Sequence, residues 1–287
     1  MRITTTDGLV LVDKPAGVTS HDVVMVARRA LGQRRIGHAG TLDPFATGLL
    51  VLLVGRATRL LPYLDAEPKV YDVTIRFGAE TDTDDATGTV IRSAPLPDEG
   101  ALDAAIHALT GEIEQRPPAY SAKQVNGQRA HAAARRGAPL ELPPSRVTVH
   151  AWSDLEMAGD TLHCRITCSG GTYVRALARD LGRLAGSAAH AASLRRVQSG
   201  AFTVAHAASL DALRAGEVRV HPPRDAVASL PVEMLDPESL ARVRHGMAVT
   251  ASVEGVRAAL VDDAGALVAV ADRAGAEWRP RLVLAGD

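Results

Sequence analysis

Apolar residues along this chain either alternate with polar ones or gather in short blocks, and most blocks have the length of a strand. Leu9 to Val12 reads as a buried strand closed by the turn Lys14-Pro15-Ala16-Gly17, and Leu49 to Val54 reads as another. From Val70 to Phe77 the pattern alternates, which puts Tyr71, Val73, Ile75 and Phe77 on one face of a half-buried strand. Thr161 to Cys168 alternates in the same way, with Leu162, Cys164, Ile166 and Cys168 together. Helical signals occupy three other stretches. The first runs from about Asp22 to Leu31 behind the capping candidates Thr19 and Ser20, and the second from Ala101 to Leu109, stopped by Gly111. The third follows Gly170-Gly171-Thr172 and runs to about Leu184. Strands and helices mix without a regular βαβ rhythm, so the pattern predicts an α+β fold. After about Leu230 short β runs take over, and Val256 to Val261, the turn 262–265 and Leu267 to Ala271 form a hairpin. The expected division is a large domain over 1–229 and a small β-rich domain over 230–287.

Composition narrows the class. With 287 residues, 46% hydrophobic and 23% charged, the chain fits a globular protein and not a disordered or fibrous one. The strongest apolar block, Leu49 to Val54, falls far short of the roughly 20 residues that cross a bilayer. The N-terminal stretch has no basic region followed by a long apolar one, so the expected location is the cytoplasm, with no membrane partner. Cys164 and Cys168 are the only cysteines and share one strand face, which makes them small core residues and gives no reason to expect a metal. No heptad or apolar stripe stands out, and a monomer is expected.

The formal net charge of -1 offers no bulk attraction for nucleic acid, yet the charge is partitioned. Residues 65–114 carry twelve acids against three bases, 115–146 carry six bases against Glu141, and 165–196 carry six arginines against Asp180. A neutral chain can thus present a basic face to a phosphate backbone. The segment 115–146, bounded by Pro117-Pro118 and Pro143-Pro144, is expected to be a mobile basic insertion. Of 32 basic residues only Lys14, Lys69 and Lys123 are lysines, and these are candidates for positions that need a compact ammonium.

The stretch richest in possible chemistry is Gly37-His38-Ala39-Gly40-Thr41-Leu42-Asp43-Pro44-Phe45-Ala46-Thr47-Gly48. It reads as a loop before a buried strand, holding one carboxylate in a fixed backbone geometry that a substrate can approach closely. No Gly-Lys-Ser/Thr follows, so it is not a phosphate-binding Walker loop, and it lacks a dinucleotide fingerprint. Asp43 has no adjacent second carboxylate of the kind that glycosidases use, although Asp82, Asp84 and Asp85 are candidates to lie nearby in space.

The ordered set of motifs resembles the TruB family of tRNA pseudouridine synthases. It comprises Lys14-Pro15-x-Gly17, the Asp43 stretch, Gly55-x-Ala57-Thr58-Arg59, Lys69-x-Tyr71 and Thr81 to Gly88. It continues with Pro117-Pro118-x-Tyr120-Ser121-Ala122-Lys123, Cys168-Ser169-x-Gly171-Thr172-Tyr173-Val174-Arg175 and Leu194-Arg195-Arg196 before Gly200. The resemblance spans roughly residues 7–210 and implies a pseudouridine-synthase fold, a mixed and mainly antiparallel sheet flanked by helices. The 230–287 tail would then be a small module similar to a PUA domain. The implied activity is isomerisation of the T-loop uridine of tRNA, position 55, with no cofactor. The base is flipped out, its bond to the ribose is broken, and it is rejoined through carbon. The resemblance makes Asp43 the essential aspartate and Arg175 the cation that keeps it ionised. It makes Tyr71 and Tyr173 the aromatic lining and Leu194 the apolar wall of the pocket for the extruded base. Tyr71 is also the candidate base for the late removal of the C5 proton. His38 would contact the RNA, Lys14 would support the active-site loop, Asp85 would complete the substrate-binding set, and Lys123 would belong to an RNA-gripping insertion. An RNA-binding protein without catalysis and a carbohydrate-active enzyme with a lone carboxylate are the competing classes.

Overall fold

Strands that are apolar on both sides and strands that alternate divide the central sheet into two halves. The computed structural model describes residues 7–284 apart from 122, 126, 127, 131, 132, 134, 135, 137, 139 and 141. Ten strands of the described residues form one mixed sheet. They are β1 (Gly8–Lys14), β2 (Ile36–Ala39), β3 (Thr47–Val54), β4 (Lys69–Phe77), β5 (Gly111–Gln115) and β6 (Ser145–Ala158). Then come β7 (Thr161–Cys168), β8 (Ala189–Ser199), β9 (Phe202–Thr203) and β10 (Ala208–Ser209). Their spatial order is β10-β1-β3-β8-β4-β7-β6-β5, with β2 beside β3 and β9 beside β8. Only the β1–β10 and β3–β8 contacts are parallel.

The helices α1 (Ser20–Ala30), α2 (Glu99–Ala108) and α3 (Val174–Leu184) cover one face, where the short helix Leu210–Ala215 also packs. Val23, Val24, Leu102, Leu177 and Leu181 pack there against Val10, Leu50, Tyr71, Val73, Ile75, Leu162 and Ile166 in a single core. Helix α1 starts where a reciprocal cap forms: Asp22 N–H donates to Thr19 Oγ1 and Thr19 N–H donates to Asp22 Oδ2. The opposite face of β1 and β3 is buried as well. Leu9, Leu11, Leu49, Val51 and Leu53 pack with Leu60 of the 3₁₀ segment Gly55–Tyr63 and with Ala259, Val270 and Leu282 of the C-terminal strands. Each such leucine contributes roughly 1.5–3 kcal/mol by leaving water. Double-sided burial explains why β1 and β3 are continuous apolar blocks while β4 and β7 alternate.

The C-terminal strands β11 (Val232–Met234), β12 (Val249–Thr250), β13 (Arg257–Val261), β14 (Leu267–Ala274) and β15 (Glu277–Val283) form a second sheet. Its order is β11-β13-β14-β15-β12. Inside it the buried Glu233 carboxylate accepts from Trp278 Nε1 at 2.8 Å and from Ser252 N–H at 2.8 Å, so its charge is hydrogen-bonded although buried. The guanidinium of Arg257 stacks 4.9 Å from the ring centre of Tyr63, and Arg59 donates to the Val283 carbonyl, joining this sheet to the 3₁₀ segment. Among the described residues no helix is long and apolar enough to cross a membrane.

Three local outcomes depart from the sequence pattern. Gly37 and His38, read above as loop, lie in β2, where His38 pairs with Leu52, so the loop proper is 40–46. Its glycines hid a strand because β2 adds to an edge that needs hydrogen bonds more than side chains. Strand β6 carried no legible signal, because its second half is exposed and Asp154, at φ 54°, interrupts the alternation. Helix α2 begins at Glu99, earlier than the apolar period suggests, because Asp98 accepts from Ala101 N–H at 2.8 Å and caps it there.

The parallel contact of β3 with β8 depends on Gly48. Its φ is +100°, and a Cβ built there would stand 2.2 Å from the Arg196 carbonyl oxygen. Gly48→Ala is expected to lower stability by more than about 2 kcal/mol through strain and separation of the two strands. Urea unfolding of wild type and variant measures it, and a change within about 0.5 kcal/mol would refute this role for the contact.

Candidate active site

One end of the sheet collects the chemistry. Register places Lys14 opposite Gly48, Arg196 opposite Tyr71, and Cys168 opposite Lys69, so five neighbouring strands bring these residues to the same end. Strand β7 then leaves the sheet at Cys168 and turns through 169–173 into α3, which returns Arg175 to that end.

The loop that carries Asp43 is pinned on both sides of the aspartate. Ser20 Oγ donates to the Leu42 carbonyl at 3.0 Å and accepts from Leu42 N–H at 2.9 Å. Beyond the aspartate, the Pro44 carbonyl accepts from Gly17 N–H at 2.8 Å and from Lys14 Nζ at 3.4 Å. Lys14 Nζ also donates to the carbonyls of Pro15 and Val18, at 2.9 and 2.8 Å. A compact ammonium reaches three converging carbonyls in a way that a planar guanidinium does not, which accounts for lysine here. Lys14 is fully buried, and that burial lowers its ammonium from the ordinary 10.5 to about 8.

Arg175 aims the aspartate. Its Nε donates to Asp43 Oδ2 at 2.8 Å, and its Nη1 and Nη2 donate to the carbonyls of Thr83 and Tyr120, at 2.6 and 2.9 Å. The guanidinium is 3% exposed while the Asp43 side chain is 34% exposed, so the carboxylate keeps an open side. Asp85 lies 3.6 Å from Arg175 Nη1, but its Oδ1 accepts from Thr83 Oγ1, Thr87 N–H and Thr87 Oγ1. Asp85 therefore holds its own turn together and adds negative charge behind Arg175.

The arginine is the first rung of a ladder. Arg179 and Arg183 follow on the same face of α3 at four-residue spacing, and they pair with Asp84 at 2.8 Å and Glu80 at 2.9 Å. Burial raises the Asp84 carboxyl to about 6 against the pull of Arg179. Arg165 pairs with Asp72 and Arg195 with Asp13, each at 2.7 Å. The basic stretch 165–196 is therefore largely neutralised by acids inside the fold and is not a basic face turned to solvent.

Asp43 and Arg175 line two adjoining cavities. The inner one, about 250 Å³, is walled by Tyr71, Tyr173, Leu194, Lys69, Arg196 and Thr172. The outer one, about 520 Å³, is walled by His38, His21, Thr19, Tyr120, Asp85 and Thr87. Burial raises the phenols of Tyr71 and Tyr173 above their usual range. Among the described residues His38 has a buried Nδ1 with no hydrogen-bond partner, and burial, then Arg196, then His21 lower its imidazolium. Of the residues named from sequence, Asp43, Arg175, Tyr71, Tyr173, Leu194, His38 and Asp85 thus meet around the two cavities, with Lys14 beneath the loop. Lys123 lines neither; its carbonyl accepts from Ala130 N–H, and much of the basic segment around it lies outside the described residues. Lys69 and Arg196 were not singled out as site residues. The signal was present, because side chains two apart in a strand share a face, which puts Lys69 with Tyr71 and Arg196 with Leu194.

An aspartate held by a buried arginine stands beside an aromatic-lined cavity, and comparison with known proteins gives the class of enzyme as a pseudouridylate synthase. Residues 28–174 match the TruB family pseudouridylate synthase N-terminal domain, and 175–233 match the tRNA pseudouridylate synthase B C-terminal domain. The chain belongs to the TruB family of pseudouridylate synthases. It is 46% identical over 292 residues to the tRNA pseudouridine synthase B of Thermobifida fusca (strain YX), covering 98% of this chain and 99% of the relative. To the protein of that name from Arthrobacter sp. (strain FB24) it is 43% identical over 296 residues, covering 97% and 96%. The fold is shared with a chain of a Cbf5-Nop10-Gar1 complex at a TM-score of 0.72 and 24% identity, covering 99% of this chain and 86% of that one.

The lowered value of Lys14 has a measurable sign. Between about 8 and 10.5 the unfolded chain holds this proton and the native chain does not, so the contribution of Lys14 to stability rises with pH across that window. Urea unfolding of wild type and Lys14→Met at pH 7 and pH 10 checks it. The difference should move in favour of the wild type at the higher pH, and an unchanged difference would mean that the ammonium is not desolvated.

Proposed function

We infer that this chain converts the T-loop uridine at position 55 of tRNA to pseudouridine. The observation that carries this reading is the Asp43–Arg175 pair on the wall common to both cavities, supported by near full-length identity to relatives named tRNA pseudouridine synthase B. A uridine extruded from the T-loop enters the inner cavity and is held against Tyr71, Tyr173 and Leu194, where stacking on an aromatic contributes roughly 1–3 kcal/mol. The outer cavity takes the adjoining RNA, with His38 and His21 facing it.

Asp43 is the group that opens the glycosidic bond. Its position is fixed by the backbone on either side and by Arg175, so little reorganisation accompanies attack. Once C5 has bonded to C1′, Tyr71 takes the C5 proton and the ring regains its aromatic character. Burial holds the Tyr71 phenol in its protonated form, so it must first give that proton to solvent, a loss that the neighbouring Arg196 favours.

Asp43→Asn keeps the hydrogen-bonding shape of the side chain and removes its charge. Release of tritium from tRNA labelled at uridine C5 is expected to fall by at least about a thousandfold, while tRNA affinity stays within a few-fold of wild type. Tritium release at the wild-type rate would overturn the role of Asp43, and a wild type that releases none from the T-loop would overturn the substrate.

A further inference from the structure

Of the six arginines between 165 and 196, five have a carboxylate partner and Arg196 has none among the described residues. It is 1% exposed, so its charge is buried without a counter-ion. Backbone carbonyls hold it instead: Nε donates to Leu49 O at 2.8 Å and Nη2 to Gly40 O at 3.0 Å. Nη1 is left for the inner cavity and for the phenol of Tyr71, its cross-strand neighbour. Lys69 arrives at the same point. A Cβ placed on Gly40, whose φ is +83°, would stand 3.1 Å from Lys69 Nζ and 3.3 Å from Arg196 Nη1, so the missing side chain is what lets the two cations converge. Lys69 has no salt bridge among the described residues, and the nearby Glu67 carboxylate is already engaged by Gly170 N–H at 2.8 Å.

Two cations brought together in a buried wall cost several kcal/mol in desolvation and repulsion unless an anion arrives between them. Burial and Arg196 both lower the Lys69 ammonium, which is the strain that an incoming negative charge relieves. We propose that Lys69 and Arg196 form an anion hole for the uracil ring, stabilising the negative charge it acquires when Asp43 acts. The proposal rests on the uridine reading above.

The charge is the same whichever way the carboxylate works. If the C1′–N1 bond breaks, its electron pair goes to the ring as a uracil anion shared over N1, O2 and O4. C1′ is then satisfied by a bond to Asp43, or by loss of the C2′ proton to Asp43. If Asp43 adds to C6 instead, the electron pair of the C5–C6 double bond moves to C5 and O4. In each case a neutral ring becomes anionic. It returns to neutral when C5 bonds to C1′ and Asp43 gives back the bond or the proton it took, after which the C5 proton leaves and N1 takes one up. Cations fixed in a dry wall act on that charge without reorganising.

The test varies the demand for anion stabilisation. Lys69→Met should slow single-turnover conversion of uridine by about a hundredfold, with tRNA affinity nearly unchanged. In tRNA carrying 5-fluorouridine at the same position, fluorine withdraws charge from the ring and part of the lysine's work is done in advance. Loss of the N-linked 5-fluorouridine, read by nucleoside mass spectrometry, should then slow by no more than about tenfold in the variant. An equal slowing with both substrates, or no slowing with uridine, overturns the anion hole. A wild type that leaves uridine unconverted overturns the substrate reading instead, so the two failures are told apart.

Discussion

Arg175 is the part on which the rest of the site depends. One buried guanidinium binds the carboxylate of Asp43 and the carbonyls of Thr83 and Tyr120, so three segments remote in sequence close on a single planar group. A lysine in its place could not span those directions, since its donors radiate from one point. The opposite holds for Lys14, where three carbonyls converge and a point charge fits. The two cations divide the labour: one secures the backbone of the loop, and the other orients its reactive side chain. Because each is buried and each is satisfied mainly by backbone, the geometry is set before any substrate arrives.

Charge in this chain is spent internally before it is offered to a partner. The acidic segment 65–114 and the basic segment 165–196 look like opposed surfaces in the sequence, yet they meet as the ladder of Arg175, Arg179 and Arg183 on Asp85, Asp84 and Glu80. That ladder fastens α3 to the turn that holds Thr83 and Asp85, which keeps Arg175 at a constant depth. What remains unspent is local, the Lys69 and Arg196 pair at the floor of the inner cavity. Attraction for RNA therefore cannot be read from a sum over segments; it depends on which cations the fold leaves unpaired.

Much of the frame was legible because burial writes itself into period. The alternation through Tyr71, Val73, Ile75 and Phe77 marked β4 with its inward face, and the unbroken run Leu49 to Val54 marked a strand covered on both sides. Strand β6 was not legible, because its second half is exposed on both faces and has no period to display. Strand β2 was masked by glycines that serve the loop. At the site, motif order exposed Asp43, Arg175, Tyr71, Tyr173 and Leu194, since each lies in a box with specific neighbours. Arg196 escaped because it was counted, with Arg195 beside it, among the six arginines of a basic stretch. Strand geometry sends the two to opposite faces, one to Asp13 near solvent and the other into the cavity wall. The ladder was invisible for a different reason: its rungs are spaced by one helix, but its acids come from a turn some 95 residues away in sequence.

The scarcity of lysine has a practical corollary. With only Lys14, Lys69 and Lys123 present, an amine-directed reagent has few side chains to find. Lys14 is sealed while the chain is folded, so its labelling is a clock for opening of the structure. Lys69 faces the inner cavity and holds a lowered ammonium, so its free amine is reachable until a base covers it. The same molecule thus carries one reporter of folding and another of occupancy, which can be resolved by peptide mapping with no label engineered in.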